Sequence, residues 1–249
     1  MLRIVLVFSM VSVFWALFDQ HASTWVQQAK EMDRVLSVPA HLAQTVVVLT
    51  VLGAALGGTW LMLWVSNVTV PRRLLQAVGA AGLVALVVAG ARDLMGGEQT
   101  TLELKASQIQ ALNPLMVMII IPALNALVYA PFERRNKPIK PLRKMAVGMF
   151  LAAGAFALAA LLQTRMEAAA AVGQKVHVLW QVGQYFIMTT SEVLVSVTGL
   201  EFAYTQAPRK MKSTIMGFWL LGVTFGNVLV AFLAPMQKIM TLSMFFWVF

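Results

Sequence analysis

The chain has 249 residues, of which 59% are hydrophobic and 12% are charged, too few polar side chains to cover a water-soluble domain of this size. There is no cysteine, which excludes a disulfide framework and a thiolate metal site. The three histidines, His21, His41 and His177, are too far apart in sequence for the ligand spacing of a metal site. The composition predicts a membrane protein, and we expect no metal or other cofactor.

Apolar segments of about 20 residues, long enough to cross the hydrocarbon core of a bilayer as helices, follow one another along the chain. We predict seven complete spans and the start of an eighth near Thr241, with short connections. The fold class is therefore all-α, a polytopic transmembrane helix bundle. The predicted spans are Ile4 to Trp25, Leu42 to Val65, Leu74 to Ala91, Asn113 to Tyr129, Met145 to Gln163, Val178 to Leu200 and Thr214 to Leu233.

Lysine and arginine collect in alternate connections, as their preference for the cytoplasmic side predicts if the first span begins inside. Membrane orientation therefore accounts for the net charge of +9, and we expect a multi-pass protein of the cell (inner) membrane and no nucleic-acid partner. A cleaved signal peptide in residues 1–25 is the less favoured alternative, because no small-x-small cleavage site is clear and aromatic residues occupy that region.

Three acidic residues lie within or at the edge of predicted spans: Asp19, Glu192 and Glu201. An ionised carboxylate at mid-bilayer costs several kcal/mol unless it is paired, protonated or exposed to water, so such residues are functional candidates. The alternative for Asp19 and Glu192 is that they only hold two helices together.

Glu192 belongs to a stripe of polar and small residues at helical spacing, which suits a water-filled cavity. The stripe consists of Gln181, Tyr185, Met188, Glu192, Ser196 and Gly199.

Trp15 and Asp19 are four residues apart and project from one face of the first span. Asn113 precedes Pro114 at the start of its span, where a helix cap is the alternative function. Trp219 lies early in its span, where an interfacial anchor is the alternative.

Three segments resemble the proton-dependent oligopeptide transporter family, a branch of the major facilitator superfamily. They are FWALFDQHASTW (residues 14–25), QIQALNPLMVMIIIP (residues 108–122), and EVLVSVTGLEFAYTQAPRKMKS (residues 192–213) followed by GFWLLGVTFGN. The FAYTQAP block with its basic pair is highly specific to that family. The resemblance covers roughly residues 3–34 and 106–233. It corresponds to the C-terminal half of the major facilitator fold, helices seven to eleven with a truncated twelfth.

The resemblance implies a function for the chain and roles for two of its polar residues. Members of the family import di- and tripeptides with protons, by alternating access between two six-helix halves. Glu192 matches a glutamate that faces the amino end of the peptide and exchanges salt-bridge partners with a lysine of the other half. Asn113 matches an asparagine that helps to bind the same end.

The same resemblance implies roles for four further residues. Trp15 and Trp219 match aromatic residues that line side-chain pockets of the peptide site, and Ser196 lies beside Glu192. Asp19 matches an acidic position that is implicated in the outer gate and in proton coupling. The expected partners are therefore small peptides, protons and the lipid bilayer.

The chain also departs from the family pattern. The family's ExxER motif and the cations for the peptide carboxylate belong to the N-terminal half, so we expect a half-transporter that is inactive without that partner. Residues 35–105 replace a short loop by two apolar segments, which predicts an inserted transmembrane hairpin between a first helix at 1–34 and the remaining helices at 106–249.

Two other classes of protein compete with a transporter. A membrane interaction or assembly protein, derived from a transporter half and paired through the hairpin, remains the alternative. An enzyme is not expected, because the sequence contains no convincing nucleophile and base pair, metal cluster or phosphate-binding loop.

Overall fold

The structure is a computed structural model, and it describes residues 2–65, 71–96, 99–136, 139–206 and 211–248. The chain forms two compact units, one built from residues 1–34 and 105–249 and the other from residues 35–104. Eleven α-helices and two strands are described: α1 (Leu2–Phe18), α2 (Thr24–Glu31), β1 (Val35–Pro39), α3 (Ala40–Val65), α4 (Arg72–Leu94), β2 (Gln99–Glu103), α5 (Leu112–Leu124), α6 (Ala130–Arg134), α7 (Pro141–Ala171), α8 (Gln181–Glu192), α9 (Thr198–Gln206), α10 (Lys212–Leu233) and α11 (Leu242–Val248).

Turns of other helical types join several of these helices into longer rods. A π-helical turn, Asn125–Tyr129, connects α5 to α6, and a second one, Val193–Val197, connects α8 to α9. Five helical stretches of the described residues are long and apolar enough to cross a membrane: Gln76–Leu94, Ala106–Arg134, Pro141–Ala171, Val178–Thr205 and Lys212–Lys238. The prediction of an all-helical, multi-pass membrane bundle is confirmed at this level.

The first predicted span is not one continuous helix. The α-helix α1 ends at Phe18, a 3₁₀ turn occupies Asp19–Ala22, and α2 starts at Thr24. The hydroxyl groups of Ser23 and Thr24 both donate to the carbonyl oxygen of Gln20, at 3.3 and 3.1 Å. Side chains of this kind offer the backbone local alternatives to regular helical bonding, which explains the interruption.

Within the larger unit, two close helix contacts depend on glycine. Gly226 of α10 packs directly on α1, where an added Cβ would lie 2.7 Å from the Ser12 carbonyl oxygen. Gly148 of α7 packs on α8 and the following π turn, and its carbonyl oxygen accepts a 2.6 Å hydrogen bond from the Ser191 hydroxyl. These contacts bring the backbones of paired helices together, as small residues commonly do in membrane bundles.

One end of the larger unit is closed by backbone pairing between two loops. Asp33, just after α2, donates from its N–H to the carbonyl oxygen of Val176 at 2.9 Å. Its own carbonyl oxygen accepts from the N–H of Val178 at 2.8 Å, so Asp33 and His177 form an isolated parallel bridge. The loop after α2 is thereby fixed to the segment that leads into α8.

The smaller unit contains α3, α4 and a strand pair that the sequence did not predict. β1 and β2 are antiparallel, with Val35 opposite Glu103 and Pro39 opposite Gln99. The carboxylate of Asp93, at the end of α4, accepts hydrogen bonds from the backbone N–H groups of His41 (3.3 Å) and Leu42 (2.8 Å). This satisfies two free donors in the first turn of α3.

Candidate substrate-binding and proton-coupling site

Asn113 and Glu192 come from different helices and meet inside the larger unit. The Nδ2 group of Asn113, on the first turn of α5, donates to Oε2 of Glu192 at 2.8 Å and to Oγ1 of Thr189 at 3.2 Å. Both acceptors lie on α8, one turn apart, so one amide group reaches both. Its two hydrogens are then used, and its Oδ1 remains available as an acceptor.

The Glu192 carboxylate is half-buried at the last residue of α8, immediately before the π turn Val193–Val197. Among the described residues, no lysine or arginine forms an ion pair with it, and its bonded neighbour is the neutral Asn113 amide. Single π turns inside α-helices frequently occur at functional sites. Glu192 is thus bonded to a neutral amide at the junction of an α-helix and a π turn.

Trp15 and Trp219 form an aromatic pair between α1 and α10. Their ring centroids are 6.1 Å apart and their planes are nearly perpendicular, an edge-to-face arrangement that aromatic pairs favour. Trp219 is only 7% exposed, which argues against its alternative role as an interfacial anchor. Gly199 supports this ring, because a Cβ at that position would lie 3.1 Å from Cζ3 of Trp219.

The indole nitrogen of Trp15 is buried and has no hydrogen-bond partner among the described residues. Trp15 also contacts Phe14 and Phe18 edge-on, with centroid distances of 5.5 Å in both pairs. The ring is thus fixed in orientation by its aromatic neighbours. Its N–H is a donor that burial makes costly to leave unused.

Asp19 lies in the 3₁₀ turn after α1, and its carboxylate interacts with the side chain of Asn227 on α10 and with His21. The turn is held against α8, since the Tyr185 hydroxyl donates to the carbonyl oxygen of His21 at 3.3 Å. His21 also interacts electrostatically with Glu192. Asp19 therefore belongs to the same polar region as Glu192, although it comes from another helix.

The remaining two candidates are not joined to this region. Ser196 is half-buried within the π turn, and in the described part of the chain it makes no hydrogen bond to Glu192. The expected stripe assumed an uninterrupted helix, whereas a π turn adds a residue to the turn and shifts the face that follows it. Glu201 is exposed on α9.

A buried glutamine cluster, formed by Gln28, Gln163, Gln181 and Gln184, is the main feature that the sequence did not reveal. Gln28 is fully buried, and its Nε2 donates to the carbonyl oxygen of Ala159 and to Oε1 of Gln163, both at 3.1 Å. Its Oε1 accepts from Nε2 of Gln181 and of Gln184, both at 3.0 Å. Three of these residues, Gln163, Gln181 and Gln184, lie inside predicted spans, and an uncharged polar side chain in an apolar span was the available signal.

Membrane-crossing helices that hold half-buried carboxylates, an amide and two indoles among them are typical of secondary transporters. The family model described as the POT family matches residues 1–62 and 84–248, so the chain belongs to the POT family of peptide transporters. The family resemblance proposed from the sequence is confirmed.

Individual relatives agree with this assignment. Peptide transporter PTR2 of Saccharomyces cerevisiae is 37% identical over 136 residues, which are 51% of this chain and 22% of the yeast protein. Solute carrier family 15 member 1 of Oryctolagus cuniculus is 49% identical over 63 residues, 25% of this chain and 9% of that protein.

Solved transporter structures match almost the whole chain. An auto-inhibited POT family peptide transporter aligns with a TM-score of 0.63 and 29% identity, over 99% of this chain and 37% of that chain. The POT family transporter PepTSo aligns with a TM-score of 0.61 and 28% identity over the same shares. The chain thus spans 37% of the length of these transporters.

Proposed function

We propose that this chain forms the C-terminal six-helix half of a proton-coupled symporter of di- and tripeptides, and that an N-terminal half completes the transporter. In this proposal, α1 and α2 form helix seven of the major facilitator scheme, and α8 with α9 forms helix ten. Residues 35–105 are an inserted hairpin. The two halves enclose the peptide, and alternate opening of the cavity to the two sides moves it across the membrane.

The observation that carries the proposal is the bond between Glu192 and Asn113. A neutral amide positions the carboxylate at 2.8 Å without compensating its charge. A carboxylate in that situation accepts a proton, a lysine from the other half or the ammonium group of a peptide, because each of these compensates the same negative charge. Exchange among these three partners links proton movement to peptide movement.

The free Oδ1 of Asn113 adds a second contact for a peptide ammonium group. Because Nδ2 uses its hydrogens on Thr189 and Glu192, the amide orientation is set and Oδ1 is the atom that remains. An ammonium group donates three hydrogen bonds, so it binds the Glu192 carboxylate and this oxygen together. These two residues then form the amino-end site of the peptide.

The aromatic pair supplies the apolar part of the site. Trp15 and Trp219 present two nearly perpendicular ring systems, which suit peptide side chains of different shapes. The Nε1 group of Trp15 provides a hydrogen-bond donor for a peptide carbonyl oxygen. Ser196, in the π turn after Glu192, would contact the peptide only if the peptide reaches beyond this region.

Asp19 is proposed as the second proton-binding carboxylate. It lies at the break between α1 and α2 and faces Asn227 of α10, so it connects two helices at the end of the cavity that the charge pattern places outside. Protonation of Asp19 removes its negative charge and so changes its contact with Asn227. A change in protonation therefore favours one arrangement of α1 and α10 over another.

The test is uptake of a labelled dipeptide by this chain joined to the N-terminal half of a POT family transporter. An inward proton gradient should drive accumulation, whereas this chain alone should transport nothing. Replacing Trp15 or Trp219 by alanine should weaken peptide binding in the joined protein. A correctly folded, membrane-inserted joined protein that accumulates no peptide at any proton gradient would overturn the proposal.

A further inference from the structure

His21 occupies the same 3₁₀ turn as Asp19, two residues further along the chain. Its ring is half-buried between aromatic residues of two helices, with centroids 4.5 Å from Phe18 and 6.1 Å from Tyr185. His21 is distinct from the residues proposed to bind the peptide and from the two carboxylates proposed to bind protons. An ionisable ring in such a place is a candidate for proton binding.

The hydrogen bond of the ring determines which nitrogen is available. Nδ1 of His21 bonds to the carbonyl oxygen of Phe18, and a carbonyl oxygen only accepts, so Nδ1 carries the proton. In the neutral ring the other nitrogen, Nε2, is then the unprotonated base. Nε2 has no hydrogen-bond partner among the described residues. The ring is thus held in one tautomer, with its basic atom directed away from the backbone.

The hydrogen bond from Tyr185 holds the turn that contains His21 against α8, at a point N-terminal to Glu192 on that helix. The turn is bonded to Tyr185, and Glu192 lies seven residues further along the same helix, about 10 Å at 1.5 Å per residue. His21 and Glu192 make no hydrogen bond to each other, and a Coulomb interaction in a partly buried site does not require one. His21 interacts electrostatically with both Asp19 and Glu192.

Within the described ranges, few titratable groups face His21 from the elements around it. From its own turn there is Asp19, and from α8 there are Tyr185 and Glu192. The charged residues of α2 and α10 are at the far ends of those helices, and α5 contains none. Gln110, whose Nε2 donates to the Ala22 carbonyl oxygen, contributes only a neutral amide.

Resting on the symporter function proposed above, we propose that His21 is a third proton-binding residue of the coupling mechanism. A proton from the outer solution binds to Nε2 and forms the imidazolium, whose charge stabilises the ionised forms of Asp19 and Glu192. The proton then passes from Nε2 to the Asp19 carboxylate through intervening water, which leaves a neutral imidazole and a carboxylic acid. The same proton is first bound and then transferred, so charge balances in each step.

Transport is the first test, in the joined transporter that serves for the proposed function. His21→Gln removes the titrating group and keeps the backbone carbonyl that Tyr185 bonds. We expect the increase in uptake between about pH 8 and pH 5 to fall by about tenfold, within the typical range of coupling between two sites. His41→Gln, in the separate unit, is the matched control and should keep the wild-type pH profile.

The second test does not require transport. Nitrogen NMR of the three imidazoles in the membrane-embedded chain reports the protonation of each histidine against pH. We expect Asp19→Asn and Glu192→Gln each to move the titration midpoint of His21 and to leave those of His41 and His177 in place. A His21 midpoint that neither substitution moves, or a pH profile of uptake that His21→Gln leaves unchanged, would overturn the inference.

The two proposals fail in distinguishable ways. An inactive wild-type joined transporter contradicts the proposed function, while the NMR titration still decides whether His21 is coupled to the carboxylates. An active wild type with an unchanged His21→Gln variant contradicts only the role of His21.

Discussion

Asn113 and Glu192 are joined by a 2.8 Å hydrogen bond that connects the first turn of α5 to the last residue of α8. The two residues are separated by 79 positions in the sequence. This bond fixes the Glu192 carboxylate at the junction with the π turn. Among the described residues, no lysine or arginine forms an ion pair with that carboxylate. The geometry of the site therefore depends on this contact and on the helix packing around it.

Glu192→Gln should uncouple transport from the proton gradient. The amide oxygen of glutamine still accepts from Nδ2 of Asn113, so the helix contact is preserved, but the side chain no longer binds a proton as a base. We expect gradient-driven dipeptide accumulation by the joined transporter to fall by at least about tenfold. Thermal stability in the membrane extract should stay near that of the wild type.

Glu201→Gln is the matched control for that change, because Glu201 lies on α9 of the same long rod and is exposed. Uptake should be unaffected by it. Equal losses with the two variants would show that Glu192 has no special role in the site.

Gln28→Met should destabilise the larger unit. Methionine has a similar volume but removes the acceptor for Gln181 and Gln184 and the donor to Ala159 and Gln163. Leaving buried donors and acceptors unpaired costs about 1–3 kcal/mol each. The measurement is the midpoint of thermal unfolding in detergent.

Gln27→Met provides the comparison for this substitution, because Gln27 is the exposed neighbour on the same helix. Its unfolding midpoint should match the wild type. If Gln28→Met unfolds no earlier than Gln27→Met, the glutamine cluster contributes nothing to stability.

Gly226→Ala should separate α10 from α1. The added methyl group would lie 2.7 Å from the Ser12 carbonyl oxygen, 2.8 Å from Cβ of Trp15 and 2.9 Å from the Ala16 nitrogen. Overpacking of this kind costs about 1–3 kcal/mol. It also displaces Trp15 relative to Trp219, so both the unfolding midpoint and peptide affinity should decrease.

Gly217→Ala tests whether any alanine in this helix has the same effect. A methyl group added to Gly217 would meet no atom of another described element within 4 Å, and alanine favours a helix over glycine by about 1 kcal/mol. This variant should therefore be as stable as the wild type or more stable. The idea of a close α1–α10 contact would be abandoned if both variants behaved alike.

Excision of residues 35–104 should leave transport intact. Val35 and Glu103 are paired across the strands, so the two ends of the segment lie about 5 Å apart and a short Gly-Ser linker can connect Arg34 to Lys105. Dipeptide uptake by the joined transporter is the readout. Loss of assembly with the N-terminal half, in a variant that still folds, would favour a role of the hairpin in association.

The helices were predictable because runs of about 20 apolar residues have few other stable structures in a bilayer. Asp19 and Glu192 were recognisable for a related reason, since ionisable residues are rare and costly there. The strand pair was not predicted, because VLSVP and QTTLE are short segments whose pairing depends on contacts distant in sequence.

Other features depend on tertiary contacts that periodicity does not encode. The break at Asp19–Ala22 follows from side chains that bond the Gln20 carbonyl, which an apolar run conceals. The π turn after Glu192 shifts Ser196 away from the expected face. The role of Gln28 as the centre of a cluster depends on its meeting Gln181, 153 positions away.

The bridge at Asp33 joins the loop after α2 to the segment that leads into α8 through two main-chain hydrogen bonds. Its two hydrogen bonds, to Val176 and Val178, use no side-chain group and therefore tolerate almost any residue except proline at the donor positions. Together with the amide contacts of Gln28, this bridge connects α2 to the start of α8 by main-chain and side-chain hydrogen bonds. A movement of one of these helix ends therefore has to break these hydrogen bonds or carry the other end with it.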